Sequence, residues 1–382
     1  MTTVKRRLSE RILQTPATIG SYRPEDVTFL LKDLSEVELE LSTTAREQAI
    51  QSGVHYSEML PIEYEPSEAY TKLFHEALLD SAERVAKAAA VTAELILAKR
   101  GRNLSLVSLA RAGTPVGILI KRYLAHRHQL DVPHYSISII RGKGIDQNAL
   151  VYILQQHGAD HELQFVDGWT GKGAIRKELI QACQAFEAQY GVRLNDDLAV
   201  LADPGSCSAT FGTREDFLIP SACLNATVSG LVSRTVLRED LIGPDDFHGA
   251  KYYRELAAYD YSQYFVDTVC SYFPRIQEAA DEEARRLLSN PPALTWQGHA
   301  DMAAIQAEYG LSTINLVKPG VGETTRVLLR RIPWRILVDR IDNPNVRHIV
   351  QLTQERGVPV EAYPELSYSC CGIIQPLKGE TE

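Results

Sequence analysis

Apolar residues recur every three or four positions between Ser67 and Arg100 (Leu73, Ala77, Leu78, Ala82, Val85, Ala89), the spacing of one buried helix face, and Gly101 stops the run. Beyond Gly101 the pattern changes to short apolar runs that alternate with helical stretches. The run Leu104–Leu109 reads as a strand. It leads into a helix near Pro115, with Thr114 as N-cap and Pro115 in the first turn. A second strand is expected at Tyr135–Ile140, followed by a loop over 141–147. A third, Leu163–Val166, feeds a turn and a helix to about Tyr190, and a fourth, Leu198–Ala202, ends in Asp203-Pro204-Gly205. Strands separated by helices predict an α/β fold with a doubly wound, mostly parallel sheet. Ligands of such sheets bind outside the carboxyl ends of the strands, where LARAGTP, RGKGID, DGWTGKG and DPGSC all fall.

The remainder is read more coarsely. Residues 231–240 (LVSRTVL within them) look like one more strand, 252–288 is helical and acidic, and Asn290-Pro291-Pro292 begins a hinge and short helix to about Gly310. From Ser312 a second pattern starts: STINLV, a turn KPGVGETT, a strand pattern RVLLRRIPWRILV, a helix from about Pro344, then VPVEAY and YSCCGII. The expected organisation is an N-terminal extension (1–65) packing on the core, a large domain (66–300) and a smaller C-terminal α/β domain (312–382).

Composition narrows the class. A length of 382 residues favours more than one core, and 45% hydrophobic with 23% charged residues is globular usage. The net charge of −9 argues against coating of nucleic acid by the whole molecule, though not against local basic patches. No apolar run is long enough to cross a membrane, and the basic start MTTVKRRLSERILQ lacks the apolar segment of a secretory signal. Six cysteines, of which only Cys370 and Cys371 are close, make neither a disulfide framework nor a Cys₄ zinc site, so a reducing cytoplasm is expected.

Candidate chemistry sits at the strand ends. In DGWTGKG, Asp167 closes a strand and Thr170, Gly171, Lys172 and Gly173 open a helix, where unpaired amides favour an anion; the same glycines also suit a tight turn that binds nothing. Arg111 and Gly113 in LARAGTP offer charge and close backbone approach, or a turn that binds nothing; Arg141 and Lys143 in the RGKGID loop suit a mobile lid or a plain surface loop. Asp203, at the end of the fourth strand with Ser206 and Ser208, is a candidate to face an acceptor ring; a helix-capping or turn Asp is the other reading. Cys207 is the cysteine best placed for nucleophilic work, for which His248 or His55 would have to serve as base; a packed, inert thiol is the other reading. Near the C-terminus, Arg326, Arg330, Arg331, Arg335 and Arg340 crowd a span whose sole acid is Asp339, preceded by Gly322-Glu323-Thr324-Thr325, a pattern that suits an RNA backbone or merely a solvated face.

The order of Arg-Ala-Gly turn, basic loop and Asp-x-x-Thr-Gly-x-Gly turn resembles the type I phosphoribosyltransferases. That resemblance implies phosphoribosyl pyrophosphate as substrate, with its Mg²⁺ and a base-like acceptor. Thr170, Gly171, Lys172 and Gly173 would then take the 5′-phosphate and Asp167 the ribose. Arg111, Ala112 and Gly113 would lie at the pyrophosphate, Arg141 and Lys143 would close the site, and Asp203 and Ser206 would face the acceptor. Two adjacent acids are usual in that motif, whereas Asp167 is followed by Gly168. HYSEMLPIEYEP, DPGSCSATFG, FHGAKYYREL and GETTRVLLRRIPWRILV resemble, more closely, a bacterial family of tellurium-resistance and stress gene clusters. Its members are described as phosphoribosyltransferases with a C-terminal pelota-like RNA-binding domain, and the family also carries a cysteine-protease label (StiP). The resemblance thus implies a phosphoribosyltransferase making a nucleoside-like metabolite, with a Cys207 protease or a noncatalytic RNA or nucleotide binder as alternatives. Thr324, Arg326, Arg330 and Arg331 are the implied RNA contacts.

Overall fold

The computed structural model describes residues 13–376, apart from the side chains of Thr43, Glu47, Gln51 and Arg330. The basic start MTTVKRRLSERILQ lies largely outside these residues, and so does the side chain of Arg330.

The main sheet consists of β1 (Thr28–Phe29), β2 (Leu104–Ala110), β3 (His134–Ile140), β4 (Gly144–Ile145), β5 (Glu162–Trp169), β6 (Leu198–Ala202) and β7 (Thr210–Thr213). Its order is β1-β3-β2-β5-β6-β7, all parallel, with β4 antiparallel to β3. β2 and β6 are buried almost throughout, as expected of central parallel strands covered on both faces. From β2 the chain steps one way to β3, then back past β2 to β5. Right-handed crossovers therefore place two helices, Gly113–His128 (α3) and Gln147–His157 (α4), on opposite faces. The reversal opens a crevice between the carboxyl ends of β2 and β5.

A short helix α1 (Thr43–Gln51) belongs to the N-terminal segment. The long helix α2 (Glu68–Arg100) has the predicted bounds, with Ser67 as N-cap and Gly101, at φ +73°, as C-cap. Its alanine-rich middle presses on β7: a Cβ at Gly212 would lie 2.2 Å from the Ala88 carbonyl oxygen. Helix α3 starts two residues before Pro115, with Ala112 rather than Thr114 as N-cap, because Thr114 is fully buried and bonds to Ser136 Oγ. Helix α5 (Ala174–Tyr190) follows β5 and its glycine turn, as expected.

Residues 231–240 are a correction. They form an irregular segment, largely buried to Val236 and exposed at Glu239 and Asp240, with only two isolated bridges among the described residues, Val232 to Tyr252 and Val236 to Gly249; at its start Leu231 takes a left-handed φ that is incompatible with strand geometry. The acidic stretch after it contains two helices, α6 (Ser262–Cys270) and α7 (Phe273–Ser289).

The C-terminal unit holds α8 (Gln297–Glu308), β8 (Val317–Pro319), α9 (Val321–Arg330), β9 (Pro333–Val338), α10 (Arg347–Arg356), β10 (Val360–Ala362) and β11 (Cys370–Ile374), with strand order β8-β11-β9-β10. Here GVGETTRVLLR is not a turn and strand but the helix α9. Val321, Thr324, Thr325 and Leu328 are fully buried at i, i+3, i+4, i+7 spacing, against β11, and this period outweighs the strand-like look of RVLLRR. Met302 and Ile305 of α8 share a core with Val317, Leu337 and Ile373, so α8 packs with this unit.

Candidate functional site

Four strand-end loops meet on one rim. Gly113 packs so tightly on β5 that a Cβ would sit 2.3 Å from the Val166 carbonyl oxygen, and Gly168 faces Ala112. The Gly142 and Gly144 amides donate to Glu178 of α5 at 2.7 and 3.0 Å, tying the basic loop to the helix that follows the glycine turn. Thr170 donates its amide to the Ala202 carbonyl and its hydroxyl to Asp203 Oδ1 at 2.5 Å. The segments around residues 111, 142, 170 and 203 therefore converge as the sequence order implied.

The C-terminal unit closes much of that rim. Tyr368 Oη donates to the Gly171 carbonyl at 3.1 Å, and Lys172 Nζ donates to the Ile314 carbonyl at 2.8 Å and to Asn315 Oδ1 at 3.2 Å. The Trp296 ring lies 2.6 Å from where a Cβ on Gly173 would be. The Trp296 and Gly298 amides donate to the Ser206 and Gly205 carbonyls. Burial, with Lys318 and Arg141 nearby, pushes the Lys172 ammonium down to about 8. The turn Thr170–Gly173 is thus filled by the protein's own residues. Arg111 is likewise engaged: Nη1 donates to the Val232 carbonyl and lies 3.7 Å from Glu63. Arg141 and Lys143 are exposed, and the Arg141 amide donates to Tyr56 Oη at 2.8 Å. Asp167 lies near the end of β5 beside the crevice, where burial raises its carboxyl to about 7 against a hydrogen bond from the Gly168 amide.

Beneath this cover lies Cys207. Pro204-Gly205-Ser206 turns sharply after β6, with Ser206 at φ +54°, and delivers the Cys207 thiol beside Asp203 and Thr170. Asp203 Oδ1 accepts the Cys207 amide at 3.1 Å and lies 3.7 Å from Sγ; Oδ2 accepts the Ser208 amide and lies 3.4 Å from Arg214. Cys207 is only 1% exposed, and burial together with the Asp203 charge pushes its thiol up to about 12. Arg176, from the first turn of α5, is within electrostatic reach; its Nη2 donates to Asp196 Oδ1 at 2.9 Å, while its Nε and Nη1 are buried with no hydrogen-bond partner among the described residues. Neither expected base contacts Cys207. His248 Nδ1 pairs with Ser138 Oγ on β3, three strand positions from β6 and so roughly 14 Å away at ~4.8 Å per strand, and His55 pairs with Ser57 against the Gly142 loop. The other cysteines are less suited: Cys183, Cys223 and Cys370 pack in the main core, Cys371 in the smaller one, and Cys270 lies beside Arg122, which is bound by Asp26 and Asp267.

Of the implied RNA residues, Thr324 is fully buried, its hydroxyl turned to the Lys318 carbonyl, so it presents nothing to a ligand. Arg326 donates to the Ala222 carbonyl and pairs with Glu323, and Arg331 is exposed. Both line a cleft of about 890 Å³ between the sheet's crevice and the C-terminal unit. The sequence held no signal for Trp296, Gly298 or Tyr368, which act only through contacts distant along the chain.

Fold and site together define a two-unit α/β protein with a cysteine at the carboxyl rim of a parallel sheet, sealed by a small C-terminal unit. The chain belongs to the family described as tellurite-like stress resistance cysteine protease StiP, which matches residues 20–270, and residues 296–376 match the PELOTA RNA binding domain. It is similar to the Cysteine protease StiP of Acinetobacter baylyi, 34% identical over 370 residues and covering 94% of each chain.

These matches overturn the phosphoribosyltransferase reading, and with it the glycosyltransferase class and phosphoribosyl pyrophosphate as substrate: family and relative alike carry the name of a cysteine protease. The physical reasons agree. The glycine turn is occupied by Lys172, Tyr368 and Trp296 contacts, and Asp167 stands without the second acid. Mg²⁺ entered only as the companion of that substrate. Among the described residues no helix is long and apolar enough to cross a membrane.

Proposed function

We propose that this protein is a thiol-dependent peptidase with Cys207 as nucleophile, latent in the conformation described. The observation that carries this reading is the grouping at the rim: a thiol beside an acid and a hydroxyl, with the Arg176 guanidinium, which pairs with Asp196 through Nη2 and keeps two donors unused, in electrostatic reach. In the reaction, Asp203 accepts the thiol proton and Sγ attacks the peptide carbonyl carbon. The Arg176 guanidinium supplies positive charge for the oxyanion that forms. Collapse breaks the C–N bond, the amine leaves with the proton returned by Asp203, and water hydrolyses the thioester. Thr170 orients the Asp203 carboxylate. With its thiol held near 12 the closed protein has little thiolate, so catalysis requires the C-terminal unit to withdraw from the rim.

The test is hydrolysis of a mixed peptide library. Cleavage should be blocked by a thiol alkylator and lost in Cys207→Ala, but retained in Cys183→Ala. Cleavage independent of Cys207 would remove the proposal.

A second activity is supported by the match at residues 296–376. The C-terminal unit binds RNA, with Arg326 and Arg331 as its described contributors at the cleft.

A further inference from the structure

Six cationic side chains, Arg46, Arg111, Arg234, Lys318, Arg326 and Arg331, line the 890 Å³ cleft. They come from three places: Arg46 from α1, Arg111 and Arg234 from the large unit, and the others from the C-terminal unit. Four acids face them, but the acids do not balance the charge. Glu63 lies 3.7 Å from Arg111 and Glu323 2.8 Å from Arg326, both inside the cleft. Glu65 accepts a hydrogen bond from Tyr259 Oη, and Asp167 is raised to about 7 by burial. The Arg234 guanidinium is pushed down to about 10, first by burial and then by Arg111, Arg46 and Arg331. Mutual repulsion among crowded, partly buried cations is relieved by an anion.

The cleft also carries aromatic faces. Tyr64 is 71% exposed at its edge, and the Trp169 ring lies within, 5.5 Å from the Arg326 guanidinium carbon. Cations interleaved with accessible rings, in a space of this size, are what a nucleotide chain end requires: phosphates for the guanidinium groups, bases for the rings. We infer that this cleft binds the end of a single-stranded RNA, held jointly by both units. The inference rests on the RNA reading of the C-terminal unit and extends it, because Arg111, Arg234 and Tyr64 lie outside residues 296–376.

The experiment is fluorescence anisotropy of the full chain with a fluorescein-labelled single-stranded oligoadenylate, over a series of salt concentrations. Arg331→Ala, at an exposed position, should weaken binding and reduce the slope of log affinity against log salt by about one. Tyr64→Ala should weaken binding roughly tenfold with the slope unchanged, as loss of one stacked base does. Arg356→Ala, on the outer helix α10, should change neither. If the oligonucleotide binds but Tyr64→Ala and Arg331→Ala bind like the wild type, the cleft proposal is overturned while the RNA reading survives. Absence of binding by the full chain overturns both. Displacement of the oligonucleotide by hexaglutamate at equal charge would make the cleft a site for acidic peptides instead, and also overturns the proposal.

Discussion

Replacing Gly298 by alanine tests whether the C-terminal unit silences Cys207. A Cβ at this position would lie 1.8 Å from Tyr368 Oη and 2.8 Å from Gly205 Cα, closer than packed atoms can approach. The Gly205 side of the contact is backbone, so either Tyr368 gives up its bond to Gly171 or the seam between the units widens. Water then reaches the loop carrying Cys207. A thiol held near 12 rather than near 9 is ionised about a thousandfold less, leaving a thiolate fraction of about 10⁻⁵ at neutral pH. The difference corresponds to about 4 kcal/mol. Opening the seam should therefore accelerate alkylation of Cys207, by as much as about a thousandfold for full hydration, and peptide hydrolysis should rise with it. The assay is the rate of iodoacetamide labelling at each cysteine, read by mass spectrometry of peptide digests. Cys183, also pushed up to about 12 but packed in the main core, is the internal control. The reasoning is refuted if Cys207 in Gly298→Ala labels no faster than in the wild type, or if Cys183 accelerates equally, since that would report general loosening.

Two further outcomes are expected. Asp216 joins the units: its carboxylate accepts the Val321 and Ser369 amides at 2.9 Å each, and burial raises its carboxyl to about 7. A folded value above the unfolded one, near 4, means that the folded state holds the extra proton between about pH 4 and 7. This contribution to stability is full below pH 4 and is lost as pH rises through about 7. Denaturant titrations across that range should show a shallower fall of stability with pH in Asp216→Asn; an unchanged slope would assign the effect elsewhere. Gly117 on α3 has no space for a side chain, since a Cβ would lie 2.1 Å from Ser108 Oγ and 2.3 Å from His134 Nε2. Gly117→Ala should cost about 1–3 kcal/mol by overpacking and by disrupting the buried Ser108–His134 bond, and an unaltered thermal midpoint would contradict this.

The sequence alone determined the parallel sheet. Long periodic helices such as α2, capped by Gly101, and continuous apolar strands such as β2 and β6 carry their conformation in local pattern, and the rim position of residues 111–113, 141–144, 170–173 and 203–207 follows from alternation of strand and helix. Cys207 was legible as the best-placed thiol for the same reason. What only the tertiary structure decided was what those loops face. A Gly-rich strand-to-helix turn has the same sequence whether its amides await a ligand or its surface is filled by Tyr368, Trp296 and the Ile314 carbonyl, which arrive from segments far along the chain. The helix α9 was misread because its buried face includes Thr324 and Thr325, hydroxyls satisfied by the carbonyls of Lys318 and Val321 and therefore able to enter a core. The protonation of Cys207, the neutral bias of Asp167 and the crowding of Arg234 likewise depend on burial and on partners brought together by folding, and charge in a protein answers to surroundings that no linear pattern contains.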